Sequence, residues 1–296
     1  YLDLVSLGTV CDVVPLIGLN RAIVKQGLKI IHSKKNLGIK TLLDICKIDT
    51  RPSIYHLGYL IGPRINAGGR VGKCSHGANL LLNKDPKNSF KLASELDHFN
   101  KERQLLEKDL LKQIFSQIEF SQKDPVIVLS GKNWHEGVIG IVAARLKDKF
   151  NKPAIIISVE GKTGKASARS IVGFDIGSVI IAAVQEKILL KGGGHKMAGG
   201  FSIETKNINK LKDFVFKKFL KISENFIGKK PLMLDSVISP SAVNIEFYNK
   251  VNLLSPFGSG NPEPKFVIEN LKPVSSKIVG EKHVKAILVG KEGSSI

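Results

Sequence analysis

Residues 85 to 119 are the stretch that most narrows what this chain can fold into. Asp85 followed by Pro86 reads as a helix opening, because proline is tolerated in the first turn, where its missing N–H has no partner to lose. From there Leu92, Leu96, Phe99, Leu106, Leu110 and Ile114 recur at spacings compatible with one helical stripe. A helix of about 30 residues is roughly 45 Å long. That is more than one small domain needs, so the stretch is expected to connect two.

The pattern differs on its two sides. Before it the chain reads as mostly helical: "NRAIVKQGLKII" opens at a possible cap, Asn20, with Ile23, Val24, Leu28 and Ile31 on one face, and "TLLDIC" and "SIYHLGYLIG" read as further short helices. After it strands and helices alternate. "VIVLS", "AIIISV", "KASARSI" and "GGFSIE" read as extended, and "EGVIGIVAARLKDKF", "IGSVIIAAVQEKILL" (capped by Asp175) and "NINKLKDFVFKKFLKI" as helices, which is an α/β unit. Beyond "GKKP" at 228 to 231 come the strand-like runs "PLMLDSVIS", "KFVIENLKPVSSKIV" and "HVKAILVG", with one short helix near 245 to 254. The expected blocks are therefore 1–84, a connecting helix 85–120, an α/β domain 121–228 and a small β domain 229–296.

A net charge of +19 suggests a polyanionic partner, since clustered cations gain affinity by releasing counterions from phosphates. A lysine excess spread over solvated surfaces would produce the same number. Arginine is scarce, only seven of the 45 basic residues, so its positions are informative. Arg64, Arg70 and Arg169 all lie in stretches rich in glycine, serine or asparagine. A guanidinium offers a planar fork for two phosphate oxygens, which an ammonium does not. The competing reading is structural, an arginine tying loop carbonyls together.

No apolar run approaches the roughly 20 residues that span a bilayer, and no basic-then-apolar leader opens the chain, so a cytoplasmic location without a membrane partner is expected. Tyr1 and Ile296 both read as cuts through a longer protein. Cys11, Cys46 and Cys74 form no CxxC pair and are expected to be small buried side chains.

Four stretches could carry chemistry. In "GTVCDVVP", Asp12 sits among apolar residues, where a buried carboxylate needs a partner or a metal; a cap or turn aspartate is the plainer account. In "GPRINAGGR", glycines would let an anion approach the backbone between Arg64, Asn66 and Arg70. In "GKASARS", small residues leave room beside Arg169, and Ser167 and Ser170 add hydroxyl donors. "GGGHKMAGGF" reads equally well as a binding loop around His195 or as a helix stop and turn over Gly192 to Gly194.

Taken in order, "LDLVSLGTVCDVVPL", "GPRINAGGR", "LDHFNKERQ", "WHEGVIGIVAARL", "ASARS", "GGGHKMAGGF" and "SPFGSGNPEPKF" resemble the DHH phosphoesterase superfamily, and most closely the RecJ single-strand-specific exonucleases. The resemblance runs from about residue 2 to about residue 290. It implies an α/β fold: the C-terminal part of a DHH catalytic domain, a long connecting helix, a DHH-associated domain and a partial OB-like domain for single strands. It implies two divalent ions, Mn²⁺ or Mg²⁺, with Asp12 matching a metal-ligand and catalytic aspartate. It implies that Arg64, Asn66, Arg70, Ser167, Arg169, Ser170, Gly193, Gly194 and His195 hold nucleic-acid phosphate.

The activity so implied is 5′ to 3′ degradation of single-stranded DNA in repair and recombination, by a monomer whose partners would include a single-strand-binding protein and a helicase. The acidic and DHH motifs that name the superfamily would precede Tyr1, so these residues alone are expected to be inactive. Two other functions stand beside this one: an oligoribonucleotide or cyclic-dinucleotide phosphodiesterase, against which the β-rich extension with "PFGSGNPEP" argues, and a non-catalytic DNA-binding scaffold, against which Asp12 argues. Ala166 and Gly199 depart from the family pattern by one methyl group each and leave the polar donors in place.

Overall fold

The computed structural model describes residues 1–117, 124–223, 232–280 and 283–296. Residues 118–120 of the expected connecting helix and the composition shift at 228–231 lie outside them. The chain forms two compact units, Tyr1–Gly62 with Lys230–Ile296, and Pro63–Lys229.

In the N-terminal part, α1 (Leu2–Cys11) and α2 (Gly18–His32) cross closely. A Cβ on Gly27 would lie 1.7 Å from Ser6 Oγ, so glycine is what permits the approach. Ser6 is fully buried, with its hydroxyl 2.6 Å from the Leu2 carbonyl and 3.1 Å from that of Ile23. Asn20 is not the cap of α2 but lies inside it, donating to the Pro15 carbonyl; Ile17 holds the cap position. The next helix, α3 (Leu37–Ile45), has a true side-chain cap, Asn36 accepting from the Ile39 amide at 3.0 Å. A π-helical turn follows at His56–Ile61.

The stretch "GPRINAGGR" is not a loop. It is α4 (Gly62–Val71), helical despite its glycines because packing outweighs their poor propensity. Ala67 and Gly68 are buried, and a Cβ on Gly68 would come within 2.8 Å of the Lys73 carbonyl. Beyond α5 (Ser75–Leu82), α6 (Pro86–Gln117) is the long helix, opened by Asp85, which accepts from the Asn88 amide at 2.9 Å.

A five-stranded sheet organises the rest of this unit. Its strands, in chain order, are β1 (Ile127–Lys132), β2 (Ala154–Glu160), β3 (Thr163–Arg169), β4 (Lys191–His195) and β5 (Ala198–Glu204), and they lie in the spatial order β1-β2-β3-β5-β4. Only β1 and β2 are parallel. One face carries Ile155, Ile157, Ala168, Phe201 and Ile203 against α8 (Ile176–Gln185) and α9 (Ile208–Ser223). On the other, Ile127, Ala154 and Ile156 meet α7 (Glu136–Phe150) and the end of α6, where Leu110 and Ile114 are buried. Because α7 lies over β2 and β3 while α8 backs β4 and β5 from the opposite side, the α7-side surface of β5 and β4 is left open.

The C-terminal part holds β6 (Ser236–Val237) paired in parallel with β7 (Phe266–Val267), helix α10 (Ile245–Asn252), and the antiparallel ribbon β8 (Lys272–Val279) with β9 (His283–Val289). It is tied to the N-terminal helices of the same unit. Arg21 donates to the Leu254 carbonyl at 2.6 Å, just past the end of α10, and the Leu16 amide donates to Ser259 at 2.6 Å. The cysteines are all free, but they are not buried as expected: Cys11 and Cys46 are half-buried and Cys74 is exposed.

Candidate nucleic-acid interface

The glycine-rich stretch around His195 is neither a helix stop nor a loose loop. Residues 191 to 195 form an edge strand, β4, and Lys196–Met197 make the two-residue turn into β5. The preceding helix ends earlier than expected, at Gln185, and Lys187 reverses the chain with φ of 56°. Three adjacent glycines are poor strand formers, so what holds them extended is packing. A Cβ on Gly192 would lie 2.6 Å from that of Phe201, and one on Gly194 would lie 2.4 Å from the Ala198 carbonyl. The turn is anchored by the Ser170 amide donating to Met197 at 2.9 Å and the Ile176 amide donating to Lys196 at 3.3 Å.

Strand register then decides which side chains share a surface. Directly opposed residues in antiparallel strands point to the same face. Lys165 pairs with Ser202 and Ser202 with Lys191; Ser167 pairs with Gly200 and Gly200 with Gly193; Arg169 pairs with Ala198 and Ala198 with His195. The three rows give a floor of small residues with Lys165, Lys191, Arg169 and the His195 ring at its ends. It lies on the open side of the sheet, and Lys165, Ser167, Lys191, Gly200 and Ser202 of its first two rows line a groove of about 450 Å³ bounded by Glu136 and Ile139 of α7. The Glu136 carboxylate pairs with Lys165 at 2.8 Å and holds that ammonium at the rim.

The arginines separate into two groups. Arg64 is half-buried and its Nε donates to Asp97 at 2.8 Å, so the expected phosphate fork is a structural ion pair between α4 and α6. Arg103 and Arg145 both bind the buried Glu107, at 2.6 and 2.9 Å. Arg70 and Arg169 form no ion pair among the described residues. Arg70 donates instead to the Gly137 carbonyl at 3.0 Å, and Arg169 to Ser167 Oγ at 3.1 Å and to the Ala168 carbonyl at 2.8 Å. Burial, and then the charge of Arg70, lower the pKa of Arg169. That of Arg70 is lowered by loss of solvent around the guanidinium and then by the charge of Arg103, with Glu107 acting the other way. Both guanidiniums lie against the first turns of α7, Arg70 on the Gly137 carbonyl and Arg169 with Nη2 3.2 Å from a would-be Cβ on Gly140, and with no ion-pair partner among the described residues they suit an anion.

The remaining expected residues fare differently. Ser170 is fully buried and its hydroxyl donates to the Phe174 carbonyl at 2.6 Å, so it shapes the turn and offers nothing to a ligand. Gly194 faces the protein, whereas a Cβ on Gly193 would meet nothing within 4 Å. Asn66 is exposed on α4. Asp12 is not buried; it is the exposed C-cap of α1, in the other unit. Burial, and then the negative charge of Asp12, push the neighbouring Cys11 thiol up to about 11. Among the described residues no three of His, Cys, Asp and Glu cluster as a metal site, so these residues do not by themselves fit a two-metal centre. Lys165 and Lys191 escaped the sequence reading, although alternation in "KASAR" and "KGGGH" puts each on the face of Arg169 or His195.

Asp97 gives a testable consequence. Burial alone would raise its pKa, but hydrogen bonds and charge from Lys101 and Arg64 outweigh that and hold it below the ordinary range. Asp97→Asn is expected to cost about 1–2 kcal/mol of stability at neutral pH. A depressed carboxylate stabilises the fold above its unfolded pKa of about 4, so the deficit should shrink as pH falls below that value. Urea denaturation at several pH values measures it.

Two family models match: a DHHA1 domain over residues 123–221 and a RecJ OB domain over residues 234–296. The chain belongs to the RecJ family. It is 32% identical over 294 residues to the single-stranded-DNA-specific exonuclease RecJ of Bacillus subtilis, covering 96% of this chain and 37% of that protein. The crystal structure of RecJ from Thermus thermophilus in complex with Mn²⁺ superposes with a TM-score of 0.85 at 30% identity, over 98% of this chain and 43% of that one. Its Mg²⁺ complex gives 0.84 at 30% identity, over 98% and 45%. The chain thus spans less than half the length of each of these RecJ proteins. No helix among the described residues is long and apolar enough to cross a membrane.

Proposed function

We propose that this chain is the strand-gripping part of a metal-dependent exonuclease that degrades single-stranded DNA 5′ to 3′ in repair and recombination. The observation that carries the reading is the cross-strand array: Lys165, Lys191, Arg169 and His195 flank a floor of Ser167, Gly193 and Gly200, with Arg70 beside Arg169. Small residues let a phosphodiester backbone lie close to the sheet, and the flanking lysines and arginines, with the His195 ring, reach its oxygens. Arg64 and Ser170, already engaged inside the protein, are left out of this surface.

Asp12 is the one metal-ligand candidate proposed here, for Mn²⁺ or Mg²⁺, the ions in the related crystal structures. The part assigned to this chain's residues is binding and orientation. Single-stranded DNA is the proposed partner, with a single-strand-binding protein and a helicase as further ones, for a cytoplasmic monomer. The β-rich extension matched by the RecJ OB model favours this over a small-dinucleotide phosphodiesterase.

Fluorescence anisotropy with a labelled single-stranded oligonucleotide tests the reading. Affinity should fall with salt, log K losing about 0.7 per phosphate contact for each unit of log salt concentration, and a duplex of equal length should compete poorly. Asp12→Asn should leave this binding unchanged. Absence of binding at low salt, or equal affinity for duplex, would reject it.

A further inference from the structure

A second surface has chemistry that the cation array does not. Tyr55 and Tyr59, at the π-helical turn, stack on each other with ring centroids 5.3 Å apart and planes 25° apart, yet remain 59% and 71% exposed. Stacked rings left open to water are an unusual use of two large aromatic side chains, and π turns are frequent at functional sites. The rings line a pocket of about 510 Å³ whose other walls include Val13, Phe257, Pro262 and Glu263. The walls are fixed relative to each other within one unit: Leu16 donates its amide to Ser259, and a Cβ on Gly258 would lie 2.7 Å from Leu16 Cδ1.

The lining discriminates among ligands. No lysine or arginine is part of it, and its one charged residue is Glu263. A phosphate would be repelled there. A nucleobase suits it: every base has a π face for a tyrosine, and a base N–H, the N3–H of thymine or the exocyclic amino group of the other bases, donates to a carboxylate. From this we infer that the Tyr55–Tyr59 pocket takes a base of the bound single strand, dividing recognition of the strand between a base site here and the phosphate array of the other unit. The inference rests on the reading that the chain binds single strands.

The test compares wild type, Tyr59→Ala, Tyr59→Phe and Arg169→Ala, each as the whole chain, for binding to oligothymidylate and to an abasic strand of equal length with tetrahydrofuran in place of each base. Tyr59→Ala should bind oligothymidylate about 5- to 150-fold more weakly. Tyr59→Phe keeps the ring and should stay within about twofold. On the abasic strand Tyr59→Ala and wild type should be equal. Unchanged oligothymidylate affinity in Tyr59→Ala, or an equal loss on both strands, overturns the inference. Arg169→Ala should weaken both strands alike, so failure of the phosphate array shows separately. A wild-type dimer in sedimentation that Tyr59→Ala dissolves would assign the surface to a second copy and also overturn it.

Discussion

Arg169→Ala is expected to weaken single-strand binding by about 10- to 150-fold, the equivalent of losing charge-assisted hydrogen bonds worth about 1.5–3 kcal/mol. The dependence of log K on log salt should become shallower by about 0.7, one phosphate contact. Arg169→Lys keeps the charge, so the salt slope should return, but the fork geometry does not and affinity should recover only in part. The fold should tolerate the change: bonds to Ser167 and the Ala168 carbonyl are lost, while repulsion from Arg70 is relieved. The net effect on stability should be within about 1 kcal/mol. Anisotropy titrations at several salt concentrations, with a thermal melt of each variant, supply both readouts. Wild-type affinity in Arg169→Ala would remove this arginine from the interface.

Two neighbouring glycines should separate folding from binding. A methyl group on Gly194 would sit 2.4 Å from the Ala198 carbonyl and 2.6 Å from Gly199 Cα, both main-chain atoms of the paired strand. They can yield only if β4 lifts from β5. Gly194→Ala is therefore expected to cost about 1–3 kcal/mol, lowering the melting temperature by about 2–4 °C per kcal/mol for a domain of this size. Gly193 is adjacent but points away, with nothing within 4 Å of its would-be Cβ. Gly193→Ala should change stability by less than about 0.5 kcal/mol, yet it raises the floor between Ser167 and the edge of the sheet and should weaken strand binding. Melting temperatures and anisotropy on the same two variants decide the matter. If Gly194→Ala melts like wild type, β4 is not paired in solution as described.

The long helix was legible because a stripe extending over many turns has few alternatives, and Asp85–Pro86 marks its start chemically. The α/β alternation was legible for the same reason. In "GPRINAGGR" the glycines suggested a backbone open to an anion, whereas burial of Ala67 and Gly68 makes the stretch a helix. "GGGH" misled because its extended conformation comes from β5 and from α8, whose Ile180 Cγ2 lies 2.9 Å from a would-be Gly192 Cβ. For the arginines, residue type and local composition could not separate Arg64 from Arg70 and Arg169. The difference is one carboxylate, Asp97, which is 33 positions away from Arg64.

By itself the sequence determined which residues share a face once an element is a strand: alternation places Lys165, Ser167 and Arg169 together on β3, and it does the same for Lys191, Gly193 and His195 only after packing has made that stretch the strand β4. The tertiary structure decided that these two faces become one surface. The pairing β3-β5-β4, fixed by core residues such as Ile180 and Phe201 on the opposite side of the sheet, carries His195 into the row of Arg169 and leaves that side uncovered. Spacing along a chain sets the direction of side chains within a strand, but which strands adjoin depends on burial summed over the whole unit.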